Sequence, residues 1–384
     1  MRALVVVLDS VGVGHAPDAE KYGDEGANTL GHIFDTLPDF SLPNLSRIGL
    51  DELIGRTNPK KTTRYAGSFG KMQERSAGKD TTTGHWELAG LVIKEPFAVF
   101  EKFPDALVRT IEEKADVQFI GNFARSGTIV LEELGPEHLK TGKPILYTSA
   151  DSVLQIAAHE KILPTARLYQ ICEIARREAD AYRIGRVIAR PFEGEPGNFR
   201  RTTRRHDYSM KPDRTVLNAI KEAGIAVHAV GKISDIFTGE GISESHPTES
   251  NRAGMDQIDS LWSKHADGLT FANLVDFDMV YGHRRDVAGY ARSLSEFDHW
   301  LGQFYPKIEN NDLVIITADH GNDPTFCGSD HTREQVPLFV LHNKESRNLG
   351  TRSTFADVAA SLADFFQLPE PWHTGISFLD TVPA

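Results

Sequence analysis

Leu313-Val314-Ile315-Ile316-Thr317-Ala318-Asp319-His320-Gly321-Asn322-Asp323 joins an apolar run to an acidic residue and a histidine. A run that is apolar throughout, rather than alternating, predicts a strand covered on both faces, as in a parallel α/β sheet. The same design recurs elsewhere. Leu4 to Leu8 runs into Asp9, Phe271 to Val275 into Asp276 and Asp278, and Ile225 to Val230 through Gly231 into Lys232. Helical stretches lie between, for example Asp213 to Ala223 and Gly289 to Phe304. The expected fold class is α/β with a mostly parallel sheet. Ligands of such sheets bind outside the carboxyl ends of the strands, which is where these acidic residues fall.

The middle of the chain reads differently. From about Pro96 to Pro212 it holds a strand-like segment, Gly185 to Phe192, and many charges, with Arg and Lys frequent between Arg183 and Arg214. We expect a smaller α/β domain, 96–212, inserted into a core made of 1–95 and 213–384. A chain of 384 residues has room for two such domains.

Composition removes several classes of function. The net charge of -12, with no basic stripe, argues against nucleic acid as the main partner. Two cysteines, Cys172 and Cys327, make no disulfide framework, so a reducing cytoplasmic setting is expected. The first apolar run is short and ends in Asp9, which suits a buried strand better than a signal peptide. No stretch approaches the roughly 18 apolar residues of a membrane span.

The densest chemistry is Thr317 to Asp323 followed by Asp330-His331-Thr332. Asp319 and His320 could both reach one metal if the chain turns there, and Gly321 permits a turn. Asp278 and His283 form a second cluster, and Asp9 is a third acidic strand end. Taken singly, an Asp at a strand end is more often a cap or turn residue, and His283 beside Arg284 and Arg285 could simply be solvated. Joint occurrence at the ends of three apolar runs is what favours a metal site, with mixed oxygen and nitrogen donors suiting Mn²⁺ or Zn²⁺ better than Ca²⁺.

A polar segment, Ser76-Ala77-Gly78-Lys79-Asp80-Thr81-Thr82-Thr83-Gly84-His85-Trp86-Glu87, offers three consecutive hydroxyls. A threonine hydroxyl becomes a nucleophile at neutral pH when a metal lowers its pKa. The plainer reading is a Thr N-cap on a helix continuing through Trp86 to Leu91. The two are compatible, because a helix N-terminus also favours phosphate. Ser10 reads as a turn or capping residue.

Together these residues resemble the phosphopentomutase family of the alkaline phosphatase superfamily, nearly end to end. The resemblance is carried by Leu8 to Gly14, Gly78 to Glu87, Tyr147 to Gln155, Gly185 to Phe192, Gly231 to Asp235, Asp276 to Arg285 and Thr317 to His331. It implies an alkaline-phosphatase-like core with an inserted cap domain. It further implies two Mn²⁺ per chain, one on Asp9, Asp319 and His320, the other on Asp278, His283 and His331. Thr81 matches the family's phosphorylated nucleophile. Arg186, Arg201 and Lys232 match residues that grip the substrate's distal phosphate, and Ser149 and Asp151 match positions facing the sugar.

The implied reaction moves a phosphoryl group between C1 and C5 of ribose or 2-deoxyribose through a 1,5-bisphosphate. Glucose 1,6-bisphosphate, or ribose 1,5-bisphosphate, would act as activator. The implied partner is a small phosphosugar, with neither nucleic acid nor membrane. His15 departs from the family, where Glu is frequent, and Cys327 lies in a variable loop. Two rivals share the metal pattern: a phosphatase or phosphoglycerate mutase, and a catalytically silent scaffold. The first would lack the Thr-Gly-His-Trp-Glu context, and the second would have lost a ligand or Thr81.

Overall fold

The computed structural model describes residues 1–56, 65–149, 152–264, 267–370 and 372–379. They form two compact units, Met1–Glu95 with Pro212–Ala384, and Pro96–Lys211. In chain order the strands are β1 (Arg2–Leu8), β2 (Ser68–Met72), β3 (Ile120–Ala124), β4 (Ile145–Thr148), β5 (Val153–His159), β6 (Arg186–Glu193) and β7 (Arg200–Arg201). They continue with β8 (His206–Ser209), β9 (Val227–Val230), β10 (Glu244–His246), β11 (Gly268–Leu274), β12 (Leu313–Thr317), β13 (Val336–Leu341) and β14 (Asn348–Arg352).

The first unit is built on an eight-stranded sheet of order β10-β9-β11-β1-β12-β13-β2-β14. The first five strands run parallel, and β13 is antiparallel to both of its neighbours. The α/β class with a mostly parallel sheet is therefore the one observed. Every residue of β1, β11, β12 and β13 is buried, as runs without alternation require.

Register then does the work of assembly. Leu8 lies beside Leu274, and Val7 beside Thr317. One or two residues beyond these pairs the three strands deliver Asp9, the turn leading to Asp278, and Asp319 to the same edge of the sheet. The helices Asn251–Ser263 and Val287–Phe304 pack together, and the second buries Tyr290, Leu294, Phe297, Leu301 and Phe304 at spacings of three and four.

The helix Thr81–Leu88 starts with Thr-Thr-Thr-Gly, residues of poor helix propensity. Two anchors hold it. The N-cap is Asp80, not a threonine, and its carboxylate accepts from the Thr82 and Thr83 amides at 3.0 and 3.1 Å. At the far end Glu87 is fully buried. Its carboxylate accepts from the Arg75 and Ser76 amides, the Ser76 and Thr354 hydroxyls and the Phe355 amide, at 2.6 to 3.0 Å. Glu87→Ala would leave these donors unsatisfied in the interior, each costing on the order of 1–3 kcal/mol. Urea denaturation should therefore show the variant less stable by about 3 kcal/mol or more. A loss below 1 kcal/mol would mean that water replaces the carboxylate.

The second unit has its own sheet, β3-β4-β5-β6-β7, with β8 also on β6. Alternate residues of β5 face opposite sides. Leu154, Ile156 and Ala158 join the core with the helices Asp105–Ala115 and Thr165–Ala179, whereas Ala157 joins the core with the helix Gly127–Thr141. Cys172 is buried in the first of these cores and Cys327, in the first unit, is exposed. Among the described residues no helix is long and apolar enough to cross a membrane.

Candidate functional site

At the carboxyl edge of β1, β11 and β12, two sets of ligand atoms come within 4.8 Å of one another: Asp9, Asp319 and His320, and Asp278, His320 and His331. His320 belongs to both. Its Nε2 lies 3.4 Å from Asp9 Oδ1 and 3.3 Å from Asp319 Oδ2. His331 Nε2 lies 3.5 Å from Asp278 Oδ1, and the His320 and His331 rings are 4.0 Å apart. His283 is outside both three-atom sets, yet its Nε2 is 3.1 Å from Asp278 Oδ2.

The five-residue spacing of Asp278 and His283 has a local cause. Phe277–Gly282 is a π-helical turn, and the His283 amide donates to the Asp278 carbonyl at 3.1 Å. Such turns recur at functional sites. The turn at Asp319 differs from the expectation. Gly321 is absent from the positive-φ residues; it is Ser10 that adopts a left-handed φ of 74°. Gly321 is needed for space, because a Cβ there would meet Glu334 Oε1 at 2.4 Å.

Three observations test whether these side chains suit divalent cations. His320 Nδ1 donates to the Gly321 carbonyl at 3.0 Å and His283 Nδ1 to the Ser329 carbonyl at 2.7 Å. That fixes both tautomers so that the Nε2 lone pairs face the carboxylates. Next, Asp9 Oδ1, Asp319 Oδ2 and His331 Nε2 are buried without a hydrogen-bond partner. Native interiors seldom leave such atoms unpaired.

The third observation is electrostatic. Burial, then the charge of Asp319, pushes the Asp9 carboxyl up. Burial opposes the charges of Asp319 and Asp278, but neighbouring histidines outweigh it and hold both below the usual carboxylate range. Burial likewise opposes a charged His320, and Asp319 and Asp9 overcome it to raise that imidazole well above its ordinary value. Three carboxylates clustered in the interior require positive charge. The donor set fits divalent ions of the Mn²⁺ or Zn²⁺ kind.

Thr81 stands against this cluster. Its Oγ1 is 3.1 Å from His320 Nε2. Thr83 is turned the other way, its hydroxyl bonded to Asp80 at 3.0 and 3.1 Å. Close approach of the helix to β12 needs Gly84, where a Cβ would meet the Asp319 carbonyl oxygen at 2.1 Å.

Several supporting residues escaped the sequence. His85 is fully buried, with Nδ1 2.9 Å from the Thr81 carbonyl and 3.0 Å from Asp319 Oδ2. Asn273 donates to Asp9 Oδ2 at 3.0 Å and Asn322 to Asp278 Oδ1 at 2.7 Å. Arg285 donates to Asn322 Oδ1 at 2.8 Å. Asn273 had a signal: it is the one polar side chain in the run Phe271 to Val275.

Of the expected substrate residues, Lys232 lies in the first unit, exposed at the start of the short helix Ile233–Ile236, with Nζ 3.7 Å from Met279 Sδ. Arg186 and Arg201 lie in the second unit. Arg186 is half-exposed, 3.9 Å from Asp207, and Arg201 is exposed and donates to the Tyr147 hydroxyl at 3.4 Å. Ser149 Oγ accepts from Gln155 Nε2 at 3.3 Å. Asp151 lies outside the described residues.

A model of the Metalloenzyme superfamily matches residues 1–370. The phosphopentomutase of Caldanaerobacter subterraneus subsp. tengcongensis is 51% identical over 387 residues, covering 100% of this chain and 98% of that protein. That of Acetivibrio thermocellus is 50% identical, covering 99% of each. Among solved structures, Leishmania mexicana phosphoglycerate mutase at low cobalt concentration aligns with a TM-score of 0.50 and 12% identity over 98% of this chain and 97% of that one. This last likeness is one of fold alone. With a family model spanning nearly its whole length and curated relatives half identical to it end to end, the chain belongs to the phosphopentomutase family, within the Metalloenzyme superfamily.

Proposed function

We propose that this chain interconverts ribose 1-phosphate, or 2-deoxyribose 1-phosphate, and the corresponding 5-phosphate, with Thr81 as the phosphoryl carrier. The observation that carries the reading is the Thr81 hydroxyl, 3.1 Å from His320 Nε2 at the edge of the acidic cluster. The half-identical, full-length relatives named phosphopentomutase support the substrate class. Asp9, Asp319 and His320 would hold one divalent ion and Asp278, His283 and His331 the other, with Mn²⁺ as the proposed metal. Such ions supply positive charge to the oxygens of a phosphoryl group during in-line displacement.

The chain's own residues do the rest. Thr81 opens a helix whose amide end favours phosphate, and His85 donates to the Thr81 carbonyl and so holds the start of that helix beside Asp319. In the cycle, the bond between phosphorus and Thr81 Oγ1 breaks as the C1 hydroxyl oxygen of the 5-phosphate substrate takes the phosphoryl group and releases its proton. The resulting 1,5-bisphosphate returns its 5-phosphoryl group to Thr81 as the bond between phosphorus and the C5 oxygen breaks, that oxygen takes up a proton in place of the one released at C1, and the sugar leaves as the 1-phosphate. A sugar bisphosphate such as glucose 1,6-bisphosphate would load Thr81 at the outset. We assign the second unit as the cap domain, Ser149 and Asp151 to the sugar, and Arg186, Arg201 and Lys232 to the phosphate that is not reacting.

Intact-mass measurement after incubation with Mn²⁺ and glucose 1,6-bisphosphate tests the carrier. One added phosphoryl group mapped to Thr81 is the expected result, and release of free phosphate alone from ribose 1-phosphate would make the protein a phosphatase. Lys232→Ala tests the distal grip. Losing one charge-assisted contact costs about 1.5–3 kcal/mol, so kcat/KM for ribose 1-phosphate should fall on the order of 10- to 150-fold. Hydrolysis of a small aryl phosphate, which has no distal phosphate, should be unchanged. Equal damage to both substrates would move Lys232 to the reacting end, and no damage to either would leave it a surface charge.

A further inference from the structure

A third cluster of ligand-type side chains lies at the far edge of the large sheet, on the two strands β9 and β10. Its origin is register. In the parallel pair, Glu244 lies opposite His228 and His246 opposite Val230. Residues two apart on a strand point to the same face, so His228, Glu244 and His246 share one face of the sheet edge. His228 interrupts the apolar run Ile225 to Val230, a position where packing alone favours an aliphatic side chain.

The geometry goes beyond coincidence of type. His228 Nδ1 is 3.5 Å from Glu244 Oε2, and His246 Nε2 is 3.6 Å from the same oxygen. One ligand atom from each of the three residues lies within 4.8 Å of the other two. Both imidazole nitrogens are buried and lack a hydrogen-bond partner, and His228 as a whole is only 7% exposed. These separations are long for hydrogen bonds. They are close to the edge of a tetrahedron drawn around zinc, which for bonds of about 2.0–2.1 Å is roughly 3.4 Å.

We propose that His228, Glu244 and His246 form a separate site for a divalent transition-metal ion, with water completing the coordination. Two imidazoles and one carboxylate select Zn²⁺, Co²⁺ or Ni²⁺ over the oxygen-seeking Mg²⁺ and Ca²⁺. Lys264 is near enough to His246 to oppose positive charge there, so an ion at this site is held by directed imidazole bonds rather than by charge. The ion has no part in phosphoryl transfer. It ties β10, the three-residue edge strand of the sheet, to β9, and so secures an edge that would otherwise rest on a short ladder.

The test is a Co²⁺ titration of the chelator-treated full-length protein, followed by visible absorption and by metal counting. Wild-type protein should bind one equivalent more than His246→Gln or Glu244→Ala, whatever number the acidic cluster at β1 and β12 takes up. Outer-shell changes alone weaken metal sites 10- to 100-fold, so loss of a ligand should weaken that equivalent by about 100-fold or more. Glu244 has 62% of its side chain exposed, so Glu244→Ala should fold, which circular dichroism would verify. Ribose 1-phosphate turnover should be unchanged in both variants. Equal cobalt binding by wild type and both variants would overturn the proposal. So would a zinc-edge anomalous map of zinc-soaked crystals with no peak among His228, Glu244 and His246.

Discussion

Thr81→Ala should bind its full complement of metal, fold normally and lose mutase turnover by on the order of 10⁴-fold or more, as removal of a covalent nucleophile does elsewhere. The structure explains why the lesion should be confined to chemistry. The N-terminus of the helix Thr81–Leu88 is capped by Asp80, whose carboxylate holds the Thr82 and Thr83 amides, so removing the Thr81 side chain leaves the cap in place. The His85 bond to residue 81 goes to its backbone carbonyl and survives as well. Incubation of the variant with glucose 1,6-bisphosphate should add no mass. Thr81→Ser, which keeps a hydroxyl, should recover part of the turnover. Near-normal activity in Thr81→Ala would remove Thr81 as the carrier. Thr82 would then be the next choice, because the Thr83 hydroxyl is already bonded to Asp80.

How far the sequence foretold this arrangement depended on the kind of interaction. The central strands were legible because β1, β11 and β12 are buried on both faces, so most of their residues are apolar and polar ones do not alternate with them. Their acidic ends were legible for the same reason, since an Asp directly after such a run has few places to go but the carboxyl edge. The antiparallel flank formed by β13 and β2 was not foreseen. Its pairing is decided by partners far apart in sequence, such as Leu338 with Gly70.

The segment Gly84 to Glu87 stood out only by resemblance, and the structure gives each residue a physical reason. Gly84 lets the helix reach Asp319, His85 bonds the Thr81 carbonyl beside that carboxylate, Trp86 donates to the Ile236 carbonyl, and Glu87 anchors the far end. None of these roles leaves a periodic trace. Asn322 and Arg285 were hidden likewise, because each acts by hydrogen bonding to a residue that other elements bring near.

Asp319→Asn is the second change expected to have a large effect. Asn matches Asp in shape but carries no charge. Asp319 is fully buried, one carboxylate oxygen accepting from the Ser10 amide at 3.2 Å and the other lacking a hydrogen bond. An amide can keep the first interaction. It is a poor ligand at the second position and removes one negative charge from the cluster. The variant should lose one metal ion per chain and about 10²- to 10³-fold in kcat, the scale of losing a preorganised electrostatic contact to the transition state.

Stability should fall as well. Neighbouring histidines hold the Asp319 carboxyl below its usual range, so its charge is favoured in the fold, and metal-free Asp319→Asn should be less stable than metal-free wild type in thermal unfolding at neutral pH. Addition of Mn²⁺ should then raise the melting temperature of wild type more than that of the variant, since an ion that binds only the folded state stabilises it by mass action. Asp278→Asn and His331→Ala should behave alike at the neighbouring position, each losing one ion. Full metal content and activity in all three variants would remove the acidic cluster as the metal centre.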